Sequence, residues 1–180
     1  QQGERAAFDE LVRRNTPRIH ALVYRFLGDP SMVEDLTQEV FLRVFRTAHR
    51  YRPTAKFTTW LYRIAANLSF NVLRSRKKGT PVSLESMARS GDPEHPRQTP
   101  DPAAAAPGDD MDEAELRREV ARAVASLPDT QRVAIVLNKY EDKSYEEIAE
   151  VMDCSTMAVK SLLSRARGNL RQRLRRYLKS

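Results

Sequence analysis

The chain has 180 residues, enough for one large domain or two small ones. Its 41% hydrophobic residues can fill packed cores, while 31% charged residues and only six glycines favour helices over a β-sandwich. The net charge of +7 points to a polyanionic partner, and the single cysteine, Cys154, excludes an internal disulfide framework. No apolar run approaches the roughly 20 residues of a membrane span, so membrane insertion is not expected. The absence of a visible signal peptide fits a cytoplasmic protein. The sequence opens at Gln1 rather than methionine, which leaves open whether residues precede it.

In the first block, Phe8, Leu11, Val12, Ile19, Leu22, Val23 and Phe26 recur at helical spacing, with a break or kink expected at Thr16-Pro17. Gly28-Asp29-Pro30 reads as a stop and restart, with Asp29 as cap and Pro30 at the first helical position. The next helix is expected to bury Val33, Leu36, Val40, Phe41, Val44 and Phe45. Glu34, Asp35, Gln38, Glu39, Leu42 and Arg43 are left facing outward. A third helix is expected to bury Phe57, Trp60, Leu61, Ile64, Ala65, Leu68 and Val72. Its other face carries Arg63, Asn67, Asn71, Arg74 and Lys78 at spacings of three or four. Amides and cations without acids suit a nucleic-acid strand; the alternative is a solvated stripe. Trp60 reads as core rather than as a base-stacking platform.

Residues 79–111 hold six of the ten prolines and few large apolar residues, the composition of a flexible linker. Charge divides with them. Residues 1–78 carry 15 basic and 7 acidic groups, net +8, whereas the linker is net −4. Residues 112–153 are net −5, and residues 154–180 hold 8 basic groups and no acid.

Beyond the linker, Leu116, Val120, Val124 and Leu127 form a supporting helix, and Val133, Ile135, Val136 and Leu137 a second one after Pro128. Ser144 followed by Glu147 is a capping box. Ile148, Ala149, Met152, Cys154, Val159 and Leu162 match the buried skeleton of a DNA-binding helix-turn-helix, with Asp153 at its turn and Ser155 capping the second helix. That places Cys154 as a small buried hydrophobe. The outward face of the second helix carries Lys160, Ser161, Ser164, Arg165 and Arg167, donors for phosphates and purine edges in the major groove. A plain helical hairpin with a solvated face is the alternative.

Four segments then resemble the extracytoplasmic-function (ECF) group of bacterial sigma factors: ERAAFDELVRRN at 4–15, VEDLTQEVFLRVFR at 33–46, FTTWLYRIAANLSFNVLR at 57–74, and residues 127–171. The resemblance covers nearly everything outside the linker. It implies an all-α chain of two small helical domains: sigma domain two at 1–78, the linker at 79–111, and sigma domain four at 112–180. It also implies partners, namely core RNA polymerase through its beta and beta-prime subunits, promoter DNA as duplex and as melted strand, and an anti-sigma factor. In those terms Asp35, Gln38, Glu39, Leu42 and Arg43 are expected to bind core polymerase. Asn67 and Asn71 are expected to hold an extruded minus-ten base, with Lys56, Arg63 and Arg74 on phosphates. Lys160, Ser161, Ser164, Arg165 and Arg167 are expected at the minus-thirty-five element.

The competing reading is an operator-binding regulator whose N-terminal half senses a ligand or dimerises. An acidic helix face beside a basic amide stripe fits it less well. A nucleic-acid-modifying enzyme lacks a nucleophile–base pair or phosphate-binding glycine loop, so no enzyme is expected. His20, His49 and His95 are scattered, and no metal or cofactor is expected.

Overall fold

A computed structural model describes residues 2–48, 51, 56–79, 113–175 and 177. The linker assigned from the sequence lies outside the described residues apart from Gly79. Among the described residues there are seven α-helices, one 3-10 turn and no strand.

Helix α1 (Gln2–Leu27) runs through Pro17 without the expected break. Proline removes one backbone donor, and nearby side chains bond the same stretch of carbonyls. Thr16 Oγ1 donates to Val12 O at 2.7 Å and Asn15 Nδ2 to Leu11 O at 2.8 Å. Ile19, Leu22, Val23 and Phe26 then have no exposed surface, which ties the second half of the helix to the core. Gly28 ends it in the left-handed region at φ +68°, its N–H donating to Tyr24 O at 2.8 Å.

Asp29 caps the restart as expected: its side chain accepts from Ser31 N at 2.8 Å, and Pro30–Met32 form the 3-10 turn. Helix α2 (Val33–Thr47) follows, then α3 (Phe57–Lys77). The C-terminal half contains α4 (Glu113–Ala125), α5 (Asp129–Tyr140), α6 (Tyr145–Met152) and α7 (Thr156–Arg173). Leu116, expected on the inner face of α4, is 40% exposed, while Val124 and Leu127 are buried.

α1, α2 and α3 pack on one another, and α5, α6 and α7 do likewise. The two groups also meet, α3 against α6 and α1 against α5. The buried apolar residues form one continuous cluster running from Ile19 in α1 to Ala166 in α7. Two helical units are present, but they share a core rather than hanging apart on their connection.

Candidate nucleic-acid interface

The helix-turn-helix is built from local chemistry. Ser144 Oγ accepts from Glu147 N at 3.2 Å, and Glu147 Oε2 accepts from Ser144 N at 3.1 Å, closing the capping box that starts α6. Asp153 ends α6 in the left-handed region at φ +52°, a conformation that Asp tolerates better than most residues. Ser155 Oγ accepts from Ala158 N at 3.1 Å and starts α7. Val159, Leu163 and Ala166 have no exposed surface and seat α7, together with Ile148 and Val151 of α6. Leu163 rather than Leu162 is the fully buried leucine; Leu162 is only half-buried at the edge of the core. Asn169 Nδ2 donates to Gln131 Oε1 at 2.8 Å, fixing α7 against α5.

This seating leaves Lys160, Ser161, Ser164, Arg165 and Arg167 exposed along α7. Arg167 reaches back to the scaffold, its Nη2 donating to Tyr145 Oη at 3.3 Å and to Asn138 Oδ1 at 3.4 Å. Met157, at the start of the same helix, is 77% exposed. Cys154 is half-buried at the turn, and burial, with the Asp153 charge beside it, pushes its thiol pKa up. That is the state of an inert small hydrophobe rather than a reactive thiolate.

The expected minus-ten residues gather on and just before α3. Lys56 and Arg63 are exposed, while Asn67, Asn71 and Arg74 are half-buried. Each exposed cation meets an acid of the helix-turn-helix: Lys56 Nζ lies 3.1 Å from Glu147 Oε1, and Arg63 Nη2 lies 3.5 Å from Asp153 Oδ1. Residues 52–55, just before Lys56, lie outside the described residues. Trp60 is half-buried in an aromatic group, its ring 5.1 Å from Tyr51 and 5.8 Å from Phe57, in keeping with a packing role.

Helix α2 departs from its expected outward face at two positions. Asp35, Gln38 and Leu42 are exposed and Arg43 is half-buried, but Glu39 is only 7% exposed. Its Oε1 lies 3.9 Å from both Arg43 Nε and Arg46 Nη1, with no hydrogen-bond partner among the described residues. Phe45, expected in the core, is instead 63% exposed beside Leu42 and stands edge-on to Phe8 with centroids 5.1 Å apart. Glu39 lies one residue from Val40 and Phe45 one from Val44, so a small rotation of the assumed face exchanges them. An acid at 39 carries the local signal of an outward face, and only the packed helix shows it buried.

Residues 11–79 match the Sigma-70 region 2 family, and residues 117–170 match Sigma-70, region 4. The chain is 34% identical over 170 residues to the ECF RNA polymerase sigma-E factor of Haemophilus influenzae, covering 93% of this chain and 87% of that protein. The chain belongs to the ECF sigma factors. It is also 32% identical over 174 residues to ECF sigma factor SigW of Bacillus subtilis, covering 97% of this chain and 92% of SigW. SigE of Mycolicibacterium smegmatis is 35% identical over 178 residues and longer: the match covers 97% of this chain but 65% of SigE. Two solved structures share the fold across both halves. Sigma factor RpoE of Bartonella quintana, in complex with anti-sigma factor NepR, matches with a TM-score of 0.67 at 22% identity, covering 94% of this chain and 97% of RpoE. CnrH, in complex with the cytosolic domain of CnrY, matches with a TM-score of 0.65 at 24% identity, covering 99% of this chain and 93% of CnrH.

For a sigma factor, a cluster absent from the sequence-derived sites is the one around Tyr62. Tyr62 has no exposed surface, and its hydroxyl donates to Glu141 Oε2 at 2.5 Å, while Arg18 Nε donates to the same oxygen at 2.8 Å. The Arg18 guanidinium and the Lys143 ammonium lie 5.4 and 5.6 Å from the Tyr62 ring centroid. Burial, then the bond to Glu141, pushes the phenol pKa well up, so the hydroxyl remains a donor. Three segments far apart in sequence meet here, and helical periodicity carries no signal for such a meeting.

Proposed function

We propose that the chain acts as the promoter-specificity subunit of bacterial RNA polymerase in the cytoplasm. Its first unit, residues 1–78, engages core enzyme and the melted minus-ten strand, and its second, residues 112–180, reads the minus-thirty-five duplex. The observation that carries this is the α7 face. Lys160, Ser161, Ser164 and Arg165 stand exposed in register on a helix whose other side is seated by Val159, Leu163 and Ala166. A guanidinium there reaches a guanine edge bidentately, a contact worth about 1–3 kcal/mol against the wrong base. Lys160 serves a base or phosphate, and Arg167, held to Tyr145 and Asn138, is pre-positioned for the backbone.

On α3, Asn67 and Asn71 offer amides to an extruded base, with Lys56, Arg63 and Arg74 supplying salt-dependent attraction to phosphates. On α2, Leu42 and Phe45 form an apolar centre rimmed by Asp35 and Gln38, the composition of a protein-docking face. Arg43 belongs to its edge, and the buried Glu39 supports it from beneath. The anti-sigma factor bound to RpoE favours control of this chain by such a partner.

The test is transcription of genomic DNA by purified core polymerase with and without the chain. Sigma activity yields transcripts with new, discrete 5′ ends. An operator-binding regulator leaves the pattern of core enzyme unchanged.

A further inference from the structure

Among the described residues, the ion pairs between the two halves share one polarity. Arg18, Lys56, Arg63 and Lys77 of the first half pair with Glu141, Glu147, Asp153 and Asp129 of the second, at 2.8, 3.1, 3.5 and 2.7 Å. Every cation lies in the block of net charge +8, and every acid in the 112–153 segment of net charge −5. Apolar contact accompanies the charges. The Arg25 guanidinium lies 4.6 Å from the Tyr140 ring centroid, and Tyr62 is buried under Glu141. A Cβ placed on Gly28 would stand 3.1 Å from Ala125 Cβ.

We propose that the acidic segment around α6 is an intramolecular occupant of the strand-binding face of α3, so that the free chain holds itself in a closed, autoinhibited form. This rests on the reading of α3 given above. Lys56 and Arg63, there assigned to strand phosphates, are ion-paired with Glu147 and Asp153, whose carboxylates are the same kind of acceptor as a phosphate oxygen. α6 packs on α3, and Asn67 and Asn71 are half-buried in this arrangement. The α7 face stays exposed. The closed chain therefore keeps its duplex reader open while two cations of its strand reader are already paired with acids.

The experiment compares the full chain with the triple variant Glu141→Gln, Glu147→Gln, Asp153→Asn. These changes neutralise the acids while keeping their shapes and the left-handed turn. A second triple variant, Asp9→Asn, Glu10→Gln, Glu115→Gln, changes net charge equally away from the interface. Radius of gyration by small-angle scattering reports opening, and anisotropy of a fluorescent mixed-sequence single-stranded oligonucleotide reports strand binding. The interface variant should expand and bind the strand at least about threefold more tightly than the charge-matched control, because affinity scales with the open fraction. An equal radius in the wild type and both variants overturns the proposal that these acids hold the chain closed. Expansion without tighter binding overturns the occlusion. Whether α3 binds the strand at all is read separately, from the loss that Asn67→Ala causes within the opened variant.

A covalent lock gives the reverse arm. In a Cys154→Ser background, Gly28→Cys with Ala125→Cys places two Cβ atoms 3.1 Å apart, slightly closer than the 3.5–4.5 Å of a disulfide and at a left-handed position that strains both redox forms alike. Oxidation should suppress initiation with core polymerase and reductant should restore it. Equal activity of the two forms overturns the proposal; should the reduced form fail to fold, the interface triple variant decides.

Discussion

Glu147 makes three bonds at once, to the Ser144 N–H, Lys56 and Lys143. The backbone N–H first, and then the two ammonium groups, hold its pKa down from 4.5 to about 2. A carboxyl depressed in this way contributes stability in full above its unfolded pKa of about 4.5 and loses it as pH falls through about 2. The difference in denaturant midpoint between wild type and Glu147→Gln should therefore be large at pH 7 and shrink progressively below pH 4.5. A difference that stays constant down to pH 3 would show that the charge is not what Glu147 contributes. At Cys154 the raised pKa predicts alkylation by iodoacetamide at pH 7.5 that is slower in the folded than in the unfolded chain. Equal rates would mean that the thiol is open to solvent. On α7, Arg165→Ala should relax preference at one base position, while Arg173→Ala, about two turns further along the helix, should weaken all sequences alike. Binding to single-base variants of a duplex at two salt concentrations separates the two outcomes.

Among the elements, helix identity and most boundaries were legible before the fold, because caps and periodicity are written locally. Ser144 with Glu147, Ser155, and Asp29 before Pro30 all cap where their side chains indicated. What local pattern misses is a helix with two partners. α3 packs on α1 and α2 and also on α6, so Tyr62 and Ser69 are buried on faces a single stripe leaves outside. The same limit exchanged Glu39 and Phe45 on α2 and Leu162 and Leu163 on α7. The correction changes what a test of α2 should show. Asp35→Lys, on an exposed site, should reduce co-elution with core polymerase while leaving helicity intact. Glu39→Lys should lower stability instead, because it sets a cation at a buried site beside Arg43 and Arg46. Leu42→Ala with Phe45→Ala should weaken assembly further, since a few anchors near the centre of an interface carry most of its binding energy. Unchanged assembly for Leu42→Ala with Phe45→Ala would remove this face from the interface.

At the scale of the whole molecule, the decisive bond is the one from Tyr62 to Glu141, which crosses from α3 to the end of α5. A continuous buried cluster spans both halves, so unfolding either half exposes surface that the other covers. The wild-type chain should therefore melt in a single calorimetric transition despite its proline-rich middle. Tyr62→Phe retains the ring, and with it the packing of Arg18 and Lys143, but removes the hydroxyl that donates to Glu141 Oε2. Hydrogen bonds to charged groups contribute about 1.5–3 kcal/mol, and the loss leaves Arg18 as the remaining described donor to that buried oxygen. For a cooperative unit of this size, about 2 kcal/mol lowers Tm by about 4–8 °C. Because the lost bond belongs to the interface, the drop should come with separation into two transitions, one for each half. Phe at 62 with a lower Tm but a single sharp transition would mean that the halves are coupled chiefly by their apolar contact. Two transitions already present in the wild type would mean that the shared core contributes little, and that the two halves fold as independent units.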